Sequence, residues 1–272
     1  MNWRSIRAIV RKDLRVVFQN KGVSIPLIVL PVLVLGVMPG LAALVPRFQD
    51  LPGAGLTEIG DFVQRLPSGL RAELAGYNEA QTLIVVLLVY LLAPMYLVLP
   101  LMVASVIAAD SFAGEKERKT MEALLYTPTT DGELLLAKML SAWLPALGIA
   151  WGGFILYGIV VNAAAWSTMG RIFFPNTMWV ILALWVAPAI AGMGLGTTVL
   201  VSARAETFQE AYQVGAIVVL PIVLMVVGQA TGVMYLSTWL VGLVGLVLWA
   251  VDVVLLWVGG RKFRRTELAT RM

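Results

Sequence analysis

The sequence predicts an all-α membrane protein: six transmembrane helices, an N-terminal amphipathic elbow helix, and a charged cytoplasmic helix between helices 2 and 3. Three observations predict it. The 272 residues are 60% hydrophobic and only 13% charged, against about 25% charged in a soluble domain, with a mean hydropathy of +0.87. Six apolar runs are each long enough to cross a bilayer. The Lys and Arg residues between them are distributed very unevenly. The composition also excludes chemistry. With no Cys and no His, the chain lacks a thiolate, a disulfide framework, the commonest general base and the commonest metal ligand.

Residues 1–24 read as a cytoplasmic interfacial elbow helix, and 25–272 as a single transmembrane domain. Trp3, Ile6, Val10, Leu14 and Val17 recur at spacings of three and four and share one helix face. Arg4, Arg7, Arg11 and Arg15 follow the same spacing, turned about 100° away. An apolar stripe with an Arg flank suits the membrane interface, where guanidinium groups reach phosphates. The apolar run that follows is too long for a signal peptide and has no small-residue cleavage site.

The spans fall at about 25–45, 82–108, 134–160, 178–201, 211–229 and 237–258. At about 1.5 Å per residue each covers a hydrocarbon core of about 30 Å. Backbone in lipid must satisfy its own hydrogen bonds, so the runs are helices. Eight prolines lie inside them: Pro26, Pro31, Pro39, Pro94, Pro100, Pro145, Pro188 and Pro221. Neighbouring helices must satisfy the carbonyls these prolines free. Sixteen Lys and Arg residues flank one side of the spans and four the other. The basic excess places both termini and the 110–133 loop in the cytoplasm of a cell (plasma or inner) membrane. The net charge of +4 therefore belongs to the bilayer and implies no nucleic acid. The external loop, 47–81, carries Leu56, Ile59, Val63, Leu66 and Leu70 at helical spacing, for one or two short helices on the outer surface or over an exit path. The fifth-to-sixth connection, GQATGVMYLST, is minimal.

Two intramembrane features stand out. Gly192-x-x-x-Gly196 allows close helix approach. Asp252 is the one acid within a span, placed about six residues from the end of the last helix. An acid there is a functional candidate, with Arg204 or a helix-end lysine as its expected partner.

The segment from Asp110 to Glu133 holds nine charged residues between two apolar runs. It is not a phosphate-binding loop. Gly114 precedes Lys119-Thr120, but Arg118 stands where the second glycine must let backbone N–H groups wrap a phosphate, and no strand precedes it. Residues 111–126 are rich in helix formers. Glu115–Lys119 and Arg118–Glu122 are spaced as i,i+4 pairs. Met121, Leu124 and Leu125 form an apolar edge, and Thr127-Pro128 ends the helix. Thr130-x-x-Glu133 reads as a capping box opening the third span. A charged helix with an apolar edge fits a groove on a cytoplasmic partner.

The run AADSFAGEKERKTMEALLYTPTTDGELLLAKML resembles the signature of type-2 ABC transporter permeases, the membrane subunits of ABC exporters. The residues that carry the resemblance are Asp110, Glu115, Lys116, Glu117, Lys119, Thr120, Glu122, Leu124, Leu125, Thr127, Pro128 and the Ala137-Lys138 pair. Lys119 departs from the pattern, which more commonly has glycine there. The resemblance implies that 111–126 is a coupling helix. Asp110, Glu115, Lys116, Glu117, Arg118, Lys119, Thr120, Met121, Glu122, Leu124, Leu125 and Pro128 would then serve ATPase coupling. It also implies two ABC ATPase subunits holding ATP and Mg, a second permease of the same or a homologous chain, and no cofactor or catalytic residue in this chain. The alternatives are a secondary transporter, which would need polar breaks in two repeated halves, and an ATPase-coupled assembly or maturation subunit that moves no free solute.

Overall fold

The computed structural model describes residues 2–48, 66–120, 129–205 and 207–262. Among the described residues every regular element is helical. Helix α1 (Trp3–Gln19) precedes the first membrane-length helix, α2 (Lys21–Ala42), and a short helix α3 (Ser68–Leu74) follows. The remaining membrane-length helices are α4 (Glu79–Glu117), α5 (Asp131–Ala164), α6 (Thr177–Ser202), α7 (Phe208–Ala230) and α8 (Thr238–Lys262). All six are long and apolar enough to cross a bilayer. Helices α4 and α6 form the buried centre, while α2, α7 and α8 present apolar side chains outward over most of their length. Outward apolar faces are what a bilayer, rather than water, solvates.

The prolines explain the local geometry. The wide π-helical turns Leu33–Val37, Val85–Leu91 and Leu182–Val186 each precede a proline at the start of the next helical stretch, namely Pro39, Pro94 and Pro188. Proline has no N–H and crowds the carbonyl four residues back, so the preceding turn opens. Neighbouring helices supply donors to the opened turns. Tyr157 donates its hydroxyl to the Leu88 carbonyl, Trp179 its indole N–H to that of Val89 at 2.6 Å, and Trp151 to that of Ala183 at 3.0 Å. Trp179 also stacks on Tyr157, with centroids 4.8 Å apart, and meets Phe174 edge-on at 5.0 Å. One aromatic cluster thus satisfies the backbone and fills the core between α4, α5 and α6.

At the end of the bundle away from α1, Leu66, Leu70 and Leu74 are buried in the main core. The described part of the 47–81 loop is therefore packed into the bundle. Glu73 of α3 accepts hydroxyl hydrogen bonds from Tyr90 and from Tyr235, the latter at 2.5 Å. Burial, and then the Glu73 carboxylate, push the Tyr235 hydroxyl above the ordinary tyrosine range. Leu56, Ile59 and Val63 lie outside the described residues.

The charged segment after the second span differs from the helix expected over 111–126. Helix α4 continues into it through a wide π-helical turn at Asp110–Gly114 and stops at Glu117, while residues 121–128 lie outside the described residues. Lys119 then adopts a left-handed backbone (φ 55°), the Lys119 N–H bonds to the Lys116 carbonyl, and the Thr120 N–H bonds to the Glu115 carbonyl. This pair of bonds is the Schellman stop, in which the left-handed position favours glycine. The glycine more common there in the resembled signature has a physical reason: it takes φ > 0 without a Cβ penalty. Replacing Lys119 with Gly is expected to stabilise the chain by about 1 kcal/mol, measured as a higher thermal unfolding midpoint in detergent, whereas Lys119→Val lowers it.

Candidate functional site

The same Schellman stop brings the end of α4 against α1 and the start of α5. Helix α5 opens on the expected capping box: Thr130 Oγ1 accepts the Glu133 N–H at 3.3 Å, and Glu133 Oε2 accepts the Thr130 N–H at 3.1 Å. The other Glu133 oxygen accepts the Asn2 N–H at 2.5 Å, so the start of α1 is tied to the start of α5. Ile6 and Ile9 pack on Leu134 and Ala137 one turn further on. The buried stripe of α1 is Ile6, Ile9, Asp13 and Val17. The expected stripe is thus corrected. Trp3 is 61% exposed, and an aspartate takes a central place, because the stripe packs on α5 and not on lipid.

Asp13 is buried because it belongs to an ion cluster. Lys138, two turns into α5, is fully buried. Its ammonium lies 2.5 Å from Glu115 Oε2 and 2.5 Å from the Ser111 carbonyl, and 5.4 Å from the centre of the Phe112 ring. The second Glu115 oxygen takes Lys12 of α1. Lys12 also meets Asp13 Oδ1 at 3.1 Å, and the second Asp13 oxygen lies 3.2 Å from Ser141 Oγ. Two cations and two anions thus neutralise one another across three helices. Burial alone would pull the Lys12 ammonium toward its neutral form. The Glu115 and Asp13 carboxylates outweigh that, and its pKa lies above the ordinary lysine value.

This arrangement corrects the local pairing read from the sequence. Glu115 does not serve Lys119; its oxygens serve Lys12 and Lys138, because α1 and α5 press on the face of α4 that bears it. Arg118 folds back to Asp110, with Nη1 2.9 Å from Oδ1 and Nη2 3.3 Å from the backbone carbonyl. Gly114 leaves room for that fold, since a Cβ there would lie 3.2 Å from the guanidinium. Lys116 reaches the Ala205 carbonyl at 3.1 Å, and Glu117 accepts the Phe208 N–H at 2.9 Å, at the start of α7. Thr120 Oγ1 returns to the Glu115 carbonyl at 3.3 Å. Of the segment, 110–115 are buried, and Glu117, Arg118, Lys119 and Thr120 form an exposed tip. Met121, Glu122, Leu124, Leu125 and Pro128 lie outside the described residues. Sequence reasoning missed Lys12, Asp13, Lys138 and Ser141 as a group. The signals were an acid at i+4 from Ile9 and i−4 from Val17, and a lysine amid the apolar run from Leu134 to Leu140.

The intramembrane features sit between α6 and α8. A Cβ added at Gly192 would lie 2.5 Å from Asp252 Oδ2, and one at Gly196 3.0 Å from Leu255 Cβ. The two glycines are therefore where α8 approaches α6. Asp252 is buried, and among the described residues neither of its oxygens has a hydrogen-bond partner. Its expected Arg204 partner is corrected. Helix α8 runs on to Lys262, and Asp252 lies opposite Gly192. Arg204 lies beyond the end of α6 at Ser202, ten residues past Gly192, which is about 15 Å along the helix axis.

A family model described as ABC-2 family transporter protein matches residues 7–251. The chain belongs to that family and is a multi-pass membrane protein, the permease part of an ABC transporter. Neither a curated protein nor a solved structure matches it.

Removing one partner of a buried pair leaves the other charge uncompensated, at about 3–5 kcal/mol. Glu115→Leu and Lys138→Met are each expected to destabilise on that scale. The double variant is expected to lose clearly less than their sum, as read from unfolding midpoints in a double-mutant cycle.

Proposed function

We propose that this ABC-2 family member is the transmembrane permease subunit of an ATP-driven exporter. It forms the translocation path together with a second permease and is moved by separate ATPase subunits. The observation that carries this reading is the Lys12–Glu115–Lys138 cluster, which fastens the turn after α4 to α1 and α5. A docking segment can transmit force only if a push on it moves spanning helices rather than bending a loose loop. The exposed tip at 117–120 continues α4 directly. The ion cluster joins α4 to α1 and α5, and the Lys116 and Glu117 contacts reach the connection between α6 and α7. One displacement at the tip is therefore shared by α1, α4, α5 and the connection between α6 and α7.

ATP is bound with Mg and hydrolysed in the partner, and the partner's closure biases the permease between two packings. Gly192 and Gly196 bring α8 close against α6, the kind of small-residue contact along which two helices can repack. The uneven basic residues support a cell (plasma or inner) membrane location with both termini and the 110–133 loop cytoplasmic.

The absence of native cysteine makes the test clean. In the Lys119→Cys chain, a membrane-impermeant maleimide is expected to label the new thiol from the cytoplasmic side. Co-purified ABC ATPase is expected to slow that labelling at least tenfold, about 1.4 kcal/mol of protection. Labelling from the outside, or labelling indifferent to the ATPase, contradicts the assignment.

A further inference from the structure

The outer face of α1 has no role in the packing described above. Ile6, Ile9, Asp13 and Val17 spend the buried face on α5 and its neighbours. Arg4, Arg7, Arg11 and Arg15 lie roughly opposite at 100° per residue, all exposed, along one shallow concavity. Among the described residues no ion pair joins any of the four to an acid. Two large apolar side chains frame the row: Trp3 is 61% and Phe18 52% exposed. The last turn of α1 is also held at the start of α2. Asn20 ends α1 and its side chain accepts the Gly22 N–H at 3.1 Å, so Arg15 sits close to where α2 begins its crossing.

Unpaired guanidinium groups between exposed aromatic residues, beside the first turn of a membrane span, match one environment. The aromatic rings suit the headgroup layer. The planar guanidinium fork suits phosphate oxygens. An acidic protein surface would match the charge but leaves Trp3 and Phe18 unexplained. We propose that this outer face of α1 docks the phosphate headgroups of anionic phospholipids in the leaflet that α2 enters. Lipid held there also steadies Lys12, which shares the helix and reaches Glu115. Lipid composition thereby acts on the cluster at the end of α4. The inference rests on the membrane placement of α2 and not on the identity of the ATPase.

The test is native mass spectrometry of the full chain in detergent with phosphatidylglycerol or phosphatidylcholine added. The natural chain is expected to retain phosphatidylglycerol in preference to phosphatidylcholine, and to lose that preference as salt is raised. The Arg4→Gln/Arg7→Gln/Arg11→Gln/Arg15→Gln variant is expected to lose the preference by about tenfold or more. The corresponding four Arg→Lys changes are expected to keep most of it, which separates lost charge from lost fold. Equal retention of the two lipids by the natural chain overturns the proposal, as does unchanged retention in the Gln variant. Displacement by equimolar inorganic phosphate would make this a free-anion site and overturns it too. Loss of ATPase co-purification in the Gln variant with lipid retention intact would assign the face to a protein partner, again overturning it.

Discussion

A buried ammonium must be paired. Lys138 has no exposed surface, and an isolated charge in that position would cost far more than the marginal stability of a domain supplies. Its answer is Glu115, and Glu115 in turn recruits Lys12, beside Asp13. From this constraint follow the seating of α1 along α5, the burial of 110–115 and the position of the turn at Lys119. The apolar contacts of Ile6 and Ile9 with Leu134 and Ala137 add area, but area alone would let α1 slide. Charge pairs fix its register, the best-attested use of buried ion pairs.

The same demand, that no polar group be stranded in an apolar setting, shapes the membrane region. Prolines open turns in three spans, and in two of them Tyr157, Trp179 and Trp151 donate to the carbonyls of the opened turn. Aromatic donors also cross between α6 and α8, where Trp185 reaches the Gly242 carbonyl and Trp249 the Trp185 carbonyl, and the glycines of α6 let α8 lie close against it. Asp252, facing Gly192 without a partner among the described residues, lies on that glycine-lined seam. An ion-bonded end joined to a glycine-lined seam suits a molecule that passes force from one to the other.

Much of this was legible in the sequence. Hydropathy and length placed all six spans within a few residues, except the end of α4, because backbone hydrogen bonding in lipid leaves few alternatives to a helix. The capping box at Thr130 and Glu133 was readable because it is local. The ion cluster was not. Local spacing offered Lys119 to Glu115 at i+4, whereas the actual partners lie 23 and 103 residues away in sequence. The break at 118–120 within the expected 111–126 helix escaped notice for a related reason, and the rest of that helix lies outside the described residues. Helix formers fill 111–117 and beyond, but the left-handed turn at Lys119 depends on how α4 seats between α1, α5 and the start of α7. The partner of Asp252 failed differently: an acid in an apolar run suggested a nearby base, but its position is set by the close approach of α8 to Gly192, which local sequence does not show.

The central claim is that α1, the end of α4 and the start of α5 move as one body when a partner drives the tip at 117–120. It is tested most directly by electron paramagnetic resonance distances in the assembled transporter. Spin labels at Ala8→Cys and Gly132→Cys, both exposed positions, report the spacing between α1 and α5. The account predicts that this spacing stays fixed between nucleotide-free and ATP-trapped states, while the distance from Gly132 in one permease to its counterpart in the other changes. A change in the α1–α5 spacing on ATP binding would contradict it.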